Sequence, residues 1–265
     1  MRPGGDGFAI HGGQMATRAV PRPLQPGDKV RFVSPASTPD RDAVEASASI
    51  LRSWGFDVDF GSHAFDKLAY LAGRDEDRLA DLNDALRDPG VRAIFATRGG
   101  KGSYRIADRL DVEAARMDPK VLVGFSDITI LQLALLRNGV CTGIHGALNI
   151  EERDAPGEDG NARLKALLTA SEDVVLNARD DQDTGRLTDG CAAEGPLVGG
   201  NLPMVATAAG WALPPLRGCI LLLEAIGLYL GEIDRQLTML RKGGHLDGVL
   251  VPAALGGAVT EANAA

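Results

Sequence analysis

The sequence is poor in cysteine and histidine, and this limits the kinds of site that it can form. Its 265 residues include three cysteines that lie far apart, at Cys141, Cys191 and Cys219. This spacing provides neither a disulfide framework nor the C-x-x-C pair of a zinc site. None of the four histidines has metal-ligand spacing to a second histidine or cysteine. We therefore expect no metal and no cofactor, and a reducing compartment such as the cytoplasm.

Long apolar runs and clusters of positive charge are also missing. No apolar run approaches the roughly 20 residues that a membrane-spanning helix needs. The 28 lysines and arginines are outnumbered by 36 aspartates and glutamates, which gives a net charge of −8 without a basic cluster. An acidic chain of this kind repels the phosphate backbone of nucleic acids. The composition therefore argues against membrane and nucleic-acid partners.

Apolar residues, at 45%, and glycine, with 33 residues, are abundant. Beyond Asp28, strand-like segments alternate with helix-like segments, and this order predicts an α/β fold with a mostly parallel sheet flanked by helices. Functional residues in such sheets lie in the turns that follow the carboxyl ends of the strands. The predicted strands are 29–33, 56–60, 91–97, 121–123, 140–144 and 218–223. The predicted helices are 38–53, 75–87, 104–110, 128–137, 163–168 and 233–241.

Composition also divides the chain into four predicted segments. Residues 1–27 are predicted to be a disordered or extended lead-in, with Met15 as an alternative start. Residues 28–150 form an N-terminal α/β domain, 151–196 a polar linker region, and 197–265 a smaller and apparently incomplete C-terminal α/β domain. Within the last segment, 197–202 is interpreted as a glycine turn that opens a helix.

Ser126 lies in a turn between a predicted buried strand and a predicted helix. The surrounding sequence, Gly124-Phe-Ser-Asp-Ile128, partly matches the G-x-S-x-G pattern, with Ile128 in the place of the last glycine. In such a turn the hydroxyl stands above the sheet edge, and the backbone N–H of the next residue, Asp127, faces a developing oxyanion. The alternative is that Ser126 only caps the helix.

A second turn, Arg98-Gly-Gly-Lys-Gly102, follows the predicted strand 91–97. Its glycines expose backbone N–H groups that suit a phosphate or an oxyanion. Both nucleotide-binding motifs match poorly, because Gly102 replaces the Ser or Thr of a Walker A loop and Arg105 replaces the third glycine of a dinucleotide fingerprint. The alternative is a tight turn that needs glycine for a positive φ.

Glu224 and the histidines are the remaining candidates. Glu224 ends the most apolar predicted strand, where a carboxylate is either paired or partly exposed. His145 ends a strand of the first domain, on the functional side of the sheet. His63 is predicted to be a surface residue, and His245 follows a helix, where it can act as a cap.

Taken in order, these segments resemble the LD-carboxypeptidases, the serine peptidase family that includes the microcin C immunity peptidases. The resemblance implies hydrolysis of the bond between an L- and a D-amino acid, typically with release of D-alanine from murein-derived peptides, by a cytoplasmic homodimer without a metal. It implies that Ser126 is the nucleophile, that Glu224 orients the base, and that the N–H groups of Gly100 and Asp127 form the oxyanion hole. The matching segments are 31–36, 97–102, 123–127, 197–202, 222–224 and 233–237.

The resemblance also implies a triad histidine beyond Glu224, and no segment after Val249 matches it. His245 comes too early, and His145 belongs to the first domain. A frameshift near Val249 is favoured, because the resemblance stops abruptly inside a strand; a natural truncation and an inactive relative are the alternatives. Without that base we expect little or no peptidase activity. The competing interpretation is a non-catalytic α/β protein that binds a muropeptide or a nucleotide.

Overall fold

A computed structural model gives the structure of residues 20–148, 157–170, 174 and 192–255. Predictions for residues 1–19, 149–156 and 256–265, and for most of 171–191, lie outside the described residues. In the part of the chain that the structure describes, no helix combines the length and the apolar character needed to span a membrane.

The larger sheet contains five parallel strands: β1 (Lys29–Val33), β2 (Asp57–Phe60), β3 (Val91–Ala96), β4 (Val121–Gly124) and β5 (Gly143–His145). Their order across the sheet is β2-β1-β3-β4-β5. Alternate side chains enter two apolar clusters, with Ile94 and Leu122 in one and Phe95 and Val123 in the other. Burial on both faces explains why the central strands are nearly continuous in apolar residues.

Helices cover both faces of this sheet: α1 (Arg41–Ser53), α2 (Asp75–Arg87), α3 (Val112–Met117), α4 (Thr129–Arg137) and α5 (Gly157–Thr169). Leu51 of α1 and Leu164 of α5 are buried in one apolar cluster. Leu82 of α2 and Leu131 of α4 are buried in the other. The Asp40 side chain caps the first turn of α1, as its residue type predicts.

A smaller parallel sheet contains β6 (Leu197–Asn201), β7 (Ile220–Glu224) and β8 (Val251–Leu255), in that order. Its helices are α6 (Leu202–Ala208) and α7 (Leu230–Lys242). Helix α6 contacts α4, and its Val205 belongs to the same apolar cluster as Leu131 of α4 and Leu221 of β7. The two sheets therefore share one continuous core.

The predicted architecture, a mostly parallel sheet flanked by helices with a small second sheet, is confirmed. Two local predictions are wrong: residues 104–110 form short 3₁₀ turns instead of a helix, and 197–202 begins with strand β6 instead of a glycine turn. Helix α3 was not predicted, and α5 is longer than the predicted 163–168. The segment boundaries themselves stay predictions.

Glycine explains the error at β6. Gly199 and Gly200 have φ values of +136° and +137°, which side chains rarely adopt. Strand β6 runs so close to β7 that a Cβ on Gly199 would overlap the carbonyl of Leu222. Glycine inside a strand marks a close approach of backbones as well as a turn, and the sequence pattern does not separate the two cases.

Candidate active site

Ser126 occupies a sharp turn directly after β4. Its φ is +56°, a conformation that a residue with a side chain adopts only at a cost of about 1–3 kcal/mol. Gly124 permits the turn, because a Cβ there would lie 2.6 Å from a methyl carbon of Ile128. Phe125, not Ser126, holds the position before the 3₁₀ turn, and no side chain caps it. The helix-cap interpretation of Ser126 therefore does not account for the geometry.

The glycine-rich turn crosses directly over Ser126. A Cβ added to Gly99 would lie 2.8 Å from the Cβ and 3.2 Å from the Oγ of Ser126. Gly100 and Gly102 have φ values of +113° and +122°, so the tight turn also requires glycine. The structure thus brings together the two turns that the sequence singled out, with Gly100 and the exposed Lys101 at the surface beside the serine.

Ser37 holds this loop from the turn that follows β1. Its backbone N–H donates to the carbonyl of Gly99 at 3.4 Å, and its hydroxyl accepts the N–H of Lys101 at 3.1 Å. The serine after β1 therefore fixes the loop on both sides of Gly100, whose N–H the family resemblance places in an oxyanion hole.

Arg78 of α2 holds the far end of the same loop. Its side chain is fully buried, and its Nη1 donates to the carbonyl of Gly102 at 3.2 Å and to that of Pro35. Nη2 donates to Asp75 at 2.6 Å, which supplies the compensating negative charge. The buried guanidinium therefore joins the turn after β1, the glycine loop and α2.

The side chain of Asp127 links the glycine loop to the serine turn. Its Oδ2 accepts the backbone N–H of Ser103 at 2.7 Å, and the residue is only 1% exposed. Burial raises the pKa of this carboxyl, while the N–H of Ser103 acts in the opposite direction. Asp127 thus contributes more than the backbone N–H that the sequence predicted, because its carboxyl sets the position of the loop above its own turn.

Glu224 lies at the carboxyl end of β7, buried at 7% exposure. Asn201 pairs with it in register across the small sheet, and its Nδ2 donates to Glu224 Oε2 at 2.9 Å. The Nε2 atom of His145 lies 3.9 Å from the same carboxylate oxygen. The prediction of a paired carboxylate at this strand end agrees with these contacts, and the partly exposed alternative does not.

His145 was set aside in the sequence because it belongs to the first domain, yet the structure places it against the acid of the second. It ends β5, and Gly200 passes so close that a Cβ there would lie 3.0 Å from His145 Nδ1. Burial lowers the pKa of this imidazole, and the carboxylate of Glu224 acts in the opposite direction. The lowered pKa favours the neutral imidazole.

Three residues of this region, Ser37, Arg78 and Asn201, were missed in the sequence, and so was the contact between His145 and Glu224. The motif at 31–36 ends one residue before Ser37, which is a usable signal. Asn201 follows two glycines in a segment that was interpreted as a turn. Arg78 is an ordinary arginine on a helix, and only the folded chain shows that it is buried.

One group of described side chains could hold a metal ion, and its members lie in the loop between β2 and α2 and in the first turn of α2. Ligand atoms of His63, Asp66 and Asp77 lie within 4.8 Å of one another. His63 Nδ1 already pairs with Asp66 at 2.8 Å, and this pairing raises the pKa of the imidazole. An ion pair on a partly exposed loop accounts for these contacts.

Comparison with known proteins places two family models on the chain. A model described as the LD-carboxypeptidase N-terminal domain matches residues 30–146, and one described as the LD-carboxypeptidase C-terminal domain matches residues 194–260. The second match continues past Val249, where the resemblance was expected to stop. A protein of Streptomyces coelicolor named as a carboxypeptidase is 39% identical over 238 residues, which cover 86% of this chain and 74% of that protein. The murein tetrapeptide carboxypeptidase of Pseudomonas aeruginosa is 35% identical over 228 residues, covering 82% of this chain and 72% of that protein.

Solved structures show the same arrangement of elements. An MccF-like protein from Bacillus anthracis superimposes with a TM-score of 0.78 at 25% identity, over 90% of this chain and 80% of that one. The muramoyltetrapeptide carboxypeptidase of Oxalobacter formigenes superimposes with a TM-score of 0.72 at 25% identity, over 88% and 79% of the two chains.

Proposed function

The chain belongs to the LD-carboxypeptidase family, and on this premise we propose that it is a serine hydrolase acting on murein-derived peptides. Its reaction is hydrolysis of the bond between an L-amino acid and a terminal D-alanine. The observation that carries this proposal is the strained Ser126, held at φ +56° directly beneath a glycine-rich loop. Strained backbone at a serine is a feature of nucleophile turns, because it presents the hydroxyl above the sheet edge.

In the proposed reaction the Ser126 hydroxyl attacks the scissile carbonyl and forms a tetrahedral intermediate. The backbone N–H groups of Gly100 and Asp127 receive the oxyanion, and each such donor is worth about 3 kcal/mol in acyl-transfer enzymes. A general base takes the proton of the Ser126 hydroxyl and gives it to the amine of D-alanine as that amine leaves; the base then takes a proton from the water that attacks the acyl-enzyme and returns it to the serine. In this scheme the base is the triad histidine that the family resemblance implies beyond Glu224, with Glu224 as the acid that orients it, and no described residue is assigned to that role.

Charge around the glycine loop supports a substrate with a free carboxylate. Arg98 and Lys101 are both exposed on the loop that crosses Ser126. A carboxypeptidase has to recognise a terminal carboxylate beside the scissile bond, and two nearby cations suit that group. Relatives named as murein tetrapeptide and muramoyltetrapeptide carboxypeptidases support a murein peptide as the substrate.

The proposal is tested by incubating the chain with a murein L,D-tetrapeptide and with a fluorophosphonate probe. Because no described residue is assigned to the role of the triad histidine, we expect at most slow release of D-alanine. We expect labelling at Ser126, and we expect Ser126→Ala to lose both signals. Ser49→Ala is the matched control, because Ser49 is exposed on α1 and, among the described residues, its hydroxyl hydrogen-bonds only its own helix. Tetrapeptide binding without labelling of the wild-type chain would contradict the hydrolase and favour a binding protein.

We further propose a cytoplasmic homodimer. Support for the dimer comes from large apolar side chains exposed around the small sheet, including Ile226 at 63% and Leu230 at 50%. Light scattering after size exclusion tests the dimer, and an Ile226→Asp variant is expected to shift it towards monomer. Fractionation of cells that express the native gene tests the compartment.

A further inference from the structure

Glu224 is a buried carboxylate, and burial of its negative charge is unfavourable unless polar groups lie close to it. Two such groups, from Asn201 and His145, lie near it among the described residues. The side chain is 9% exposed, and Asn201 gives it one hydrogen bond, of 2.9 Å. A buried carboxylate with a single neutral donor is poorly stabilised. The second polar group within reach of its Oε2 is the His145 ring, at 3.9 Å.

The protonation of the ring follows from its surroundings. A neutral imidazole that turned a bare nitrogen lone pair towards a carboxylate would be repelled, so the proton belongs on Nε2, facing Glu224. Nδ1 is buried without a hydrogen-bond partner among the described residues. At 3.9 Å the contact from Nε2 to the acid is electrostatic and longer than a hydrogen bond.

The position of His145 connects the acid to the serine turn. His145 pairs in register with Gly124, two residues before Ser126, across β4 and β5 of the larger sheet. The acid and Asn201 lie on the smaller sheet, and the backbone N–H of Asn201 donates to the Thr129 hydroxyl at 3.1 Å, three residues after the serine. Two contacts thus tie the acid to either side of the serine turn.

We propose that His145 is a positioning residue that holds the Glu224 carboxylate against the larger sheet, at a fixed place relative to Ser126. This inference rests on the proposed function, in which Glu224 is the orienting acid. His145 acts through Glu224 and not on the substrate. A chain that lacks the imidazole keeps the acid but loses one of the two ties that set its position.

The first test measures the coupling directly, by NMR titration of the histidine rings in the full chain. The His145 signals are assigned by their loss in His145→Gln. Because Glu224 is the charged group that raises the pKa of this ring, Glu224→Gln is expected to lower the titration midpoint of His145. Glu232→Gln removes a carboxylate that caps α7 and is expected to leave the midpoint unchanged. An unchanged midpoint in Glu224→Gln would overturn the proposal.

The second test measures the effect on Ser126, as the rate of fluorophosphonate labelling. We expect His145→Leu to slow labelling by at least about tenfold, since small displacements of catalytic groups have effects of this size or larger. His145→Gln, whose amide N–H group can face Glu224 in place of the imidazole, is expected to recover most of the rate. A wild-type rate in His145→Leu, or equal losses in both variants, would contradict a positioning role.

The two tests separate failure of this proposal from failure of the proposed function. If the wild-type chain is not labelled at Ser126, the proposed hydrolase fails, and the NMR titration alone decides whether His145 and Glu224 are coupled. If His145→Leu does not fold, the titration of Glu224→Gln and the labelling rate of His145→Gln decide whether His145 positions Glu224. A shifted midpoint together with recovery in His145→Gln supports the proposal.

Discussion

At the scale of single residues, the site depends on how closely the glycine loop approaches the serine. Gly99 is buried, and the space in which a side chain would stand is filled by Ser126. A side chain at position 99 is therefore expected to displace Ser126 while the rest of the fold is kept. This separates Gly99 from glycines that serve only the backbone.

Gly99→Ala is expected to reduce labelling of Ser126 by a fluorophosphonate at least about tenfold, because the new methyl group displaces the serine or the loop above it. The measurement is the labelling rate of the two chains at equal concentration. Gly231→Ala is the control: nothing lies within 4 Å of its added Cβ on α7, and alanine favours a helix. A full labelling rate in Gly99→Ala would contradict the close approach.

Asp127→Asn is expected to become more stable relative to wild type as the pH rises. Burial raises the pKa of Asp127, so the folded chain binds the proton more tightly than the unfolded chain does, and wild-type stability falls as the pH rises from the usual aspartate value through the raised one. The amide has no charge to bury and still accepts the N–H of Ser103. Urea unfolding of both chains across this pH range measures the difference.

Asp127→Ala serves as the comparison for the hydrogen bond. It leaves the N–H of Ser103 without its acceptor and is expected to be about 1–3 kcal/mol less stable than Asp127→Asn at any pH, because neither replacement titrates. A stability gap between Asp127→Asn and wild type that stays constant with pH would contradict the raised pKa.

At the scale of elements, α2 stabilises the glycine loop through one buried side chain. Arg78→Met is expected to destabilise the chain by about 3 kcal/mol, because it removes the guanidinium donor from the carbonyls of Gly102 and Pro35 and separates a buried ion pair. Arg87→Met is the matched control on the same helix. Arg87 is 55% exposed, so its ion pairs are worth less than about 1 kcal/mol. Chemical denaturation of the two variants makes the comparison, and equal effects would contradict the role of Arg78.

The sequence predicted the elements of the larger sheet because apolar strands and capped helices carry local signals. Ser126 and the glycine loop were also predictable, since the carboxyl ends of parallel strands converge at one edge. The pairing of His145 with Glu224 was not, because the two residues lie on different sheets and no local pattern reports how the sheets are packed. Strand β6 was missed for a similar reason, because its glycines are required by the close approach of the β7 backbone, which no local pattern reports.

At the scale of the whole molecule, the shared core predicts that both sheets unfold together. The chain has two tryptophans, with Trp54 at the end of α1 beside the larger sheet and Trp211 just after α6 beside the smaller one. Trp54→Phe and Trp211→Phe each leave one fluorescent reporter. In each variant we expect the fluorescence of the remaining tryptophan and the circular dichroism signal to give the same midpoint of unfolding. A lower midpoint for Trp211 fluorescence would show that the smaller sheet unfolds first.

The backbone strain at Ser126 has a consequence for the thermal stability of the protein. Glycine adopts a φ of +56° without steric cost, so Ser126→Gly is expected to melt at a higher temperature than Ser126→Ala, although glycine's freedom in the unfolded chain offsets part of the gain. A library screened only for resistance to heating would therefore enrich glycine at the one position where the proposed chemistry needs a hydroxyl. A selection of variants for a higher melting temperature therefore also has to select for labelling at Ser126. Without that second selection we expect glycine to replace the proposed nucleophile.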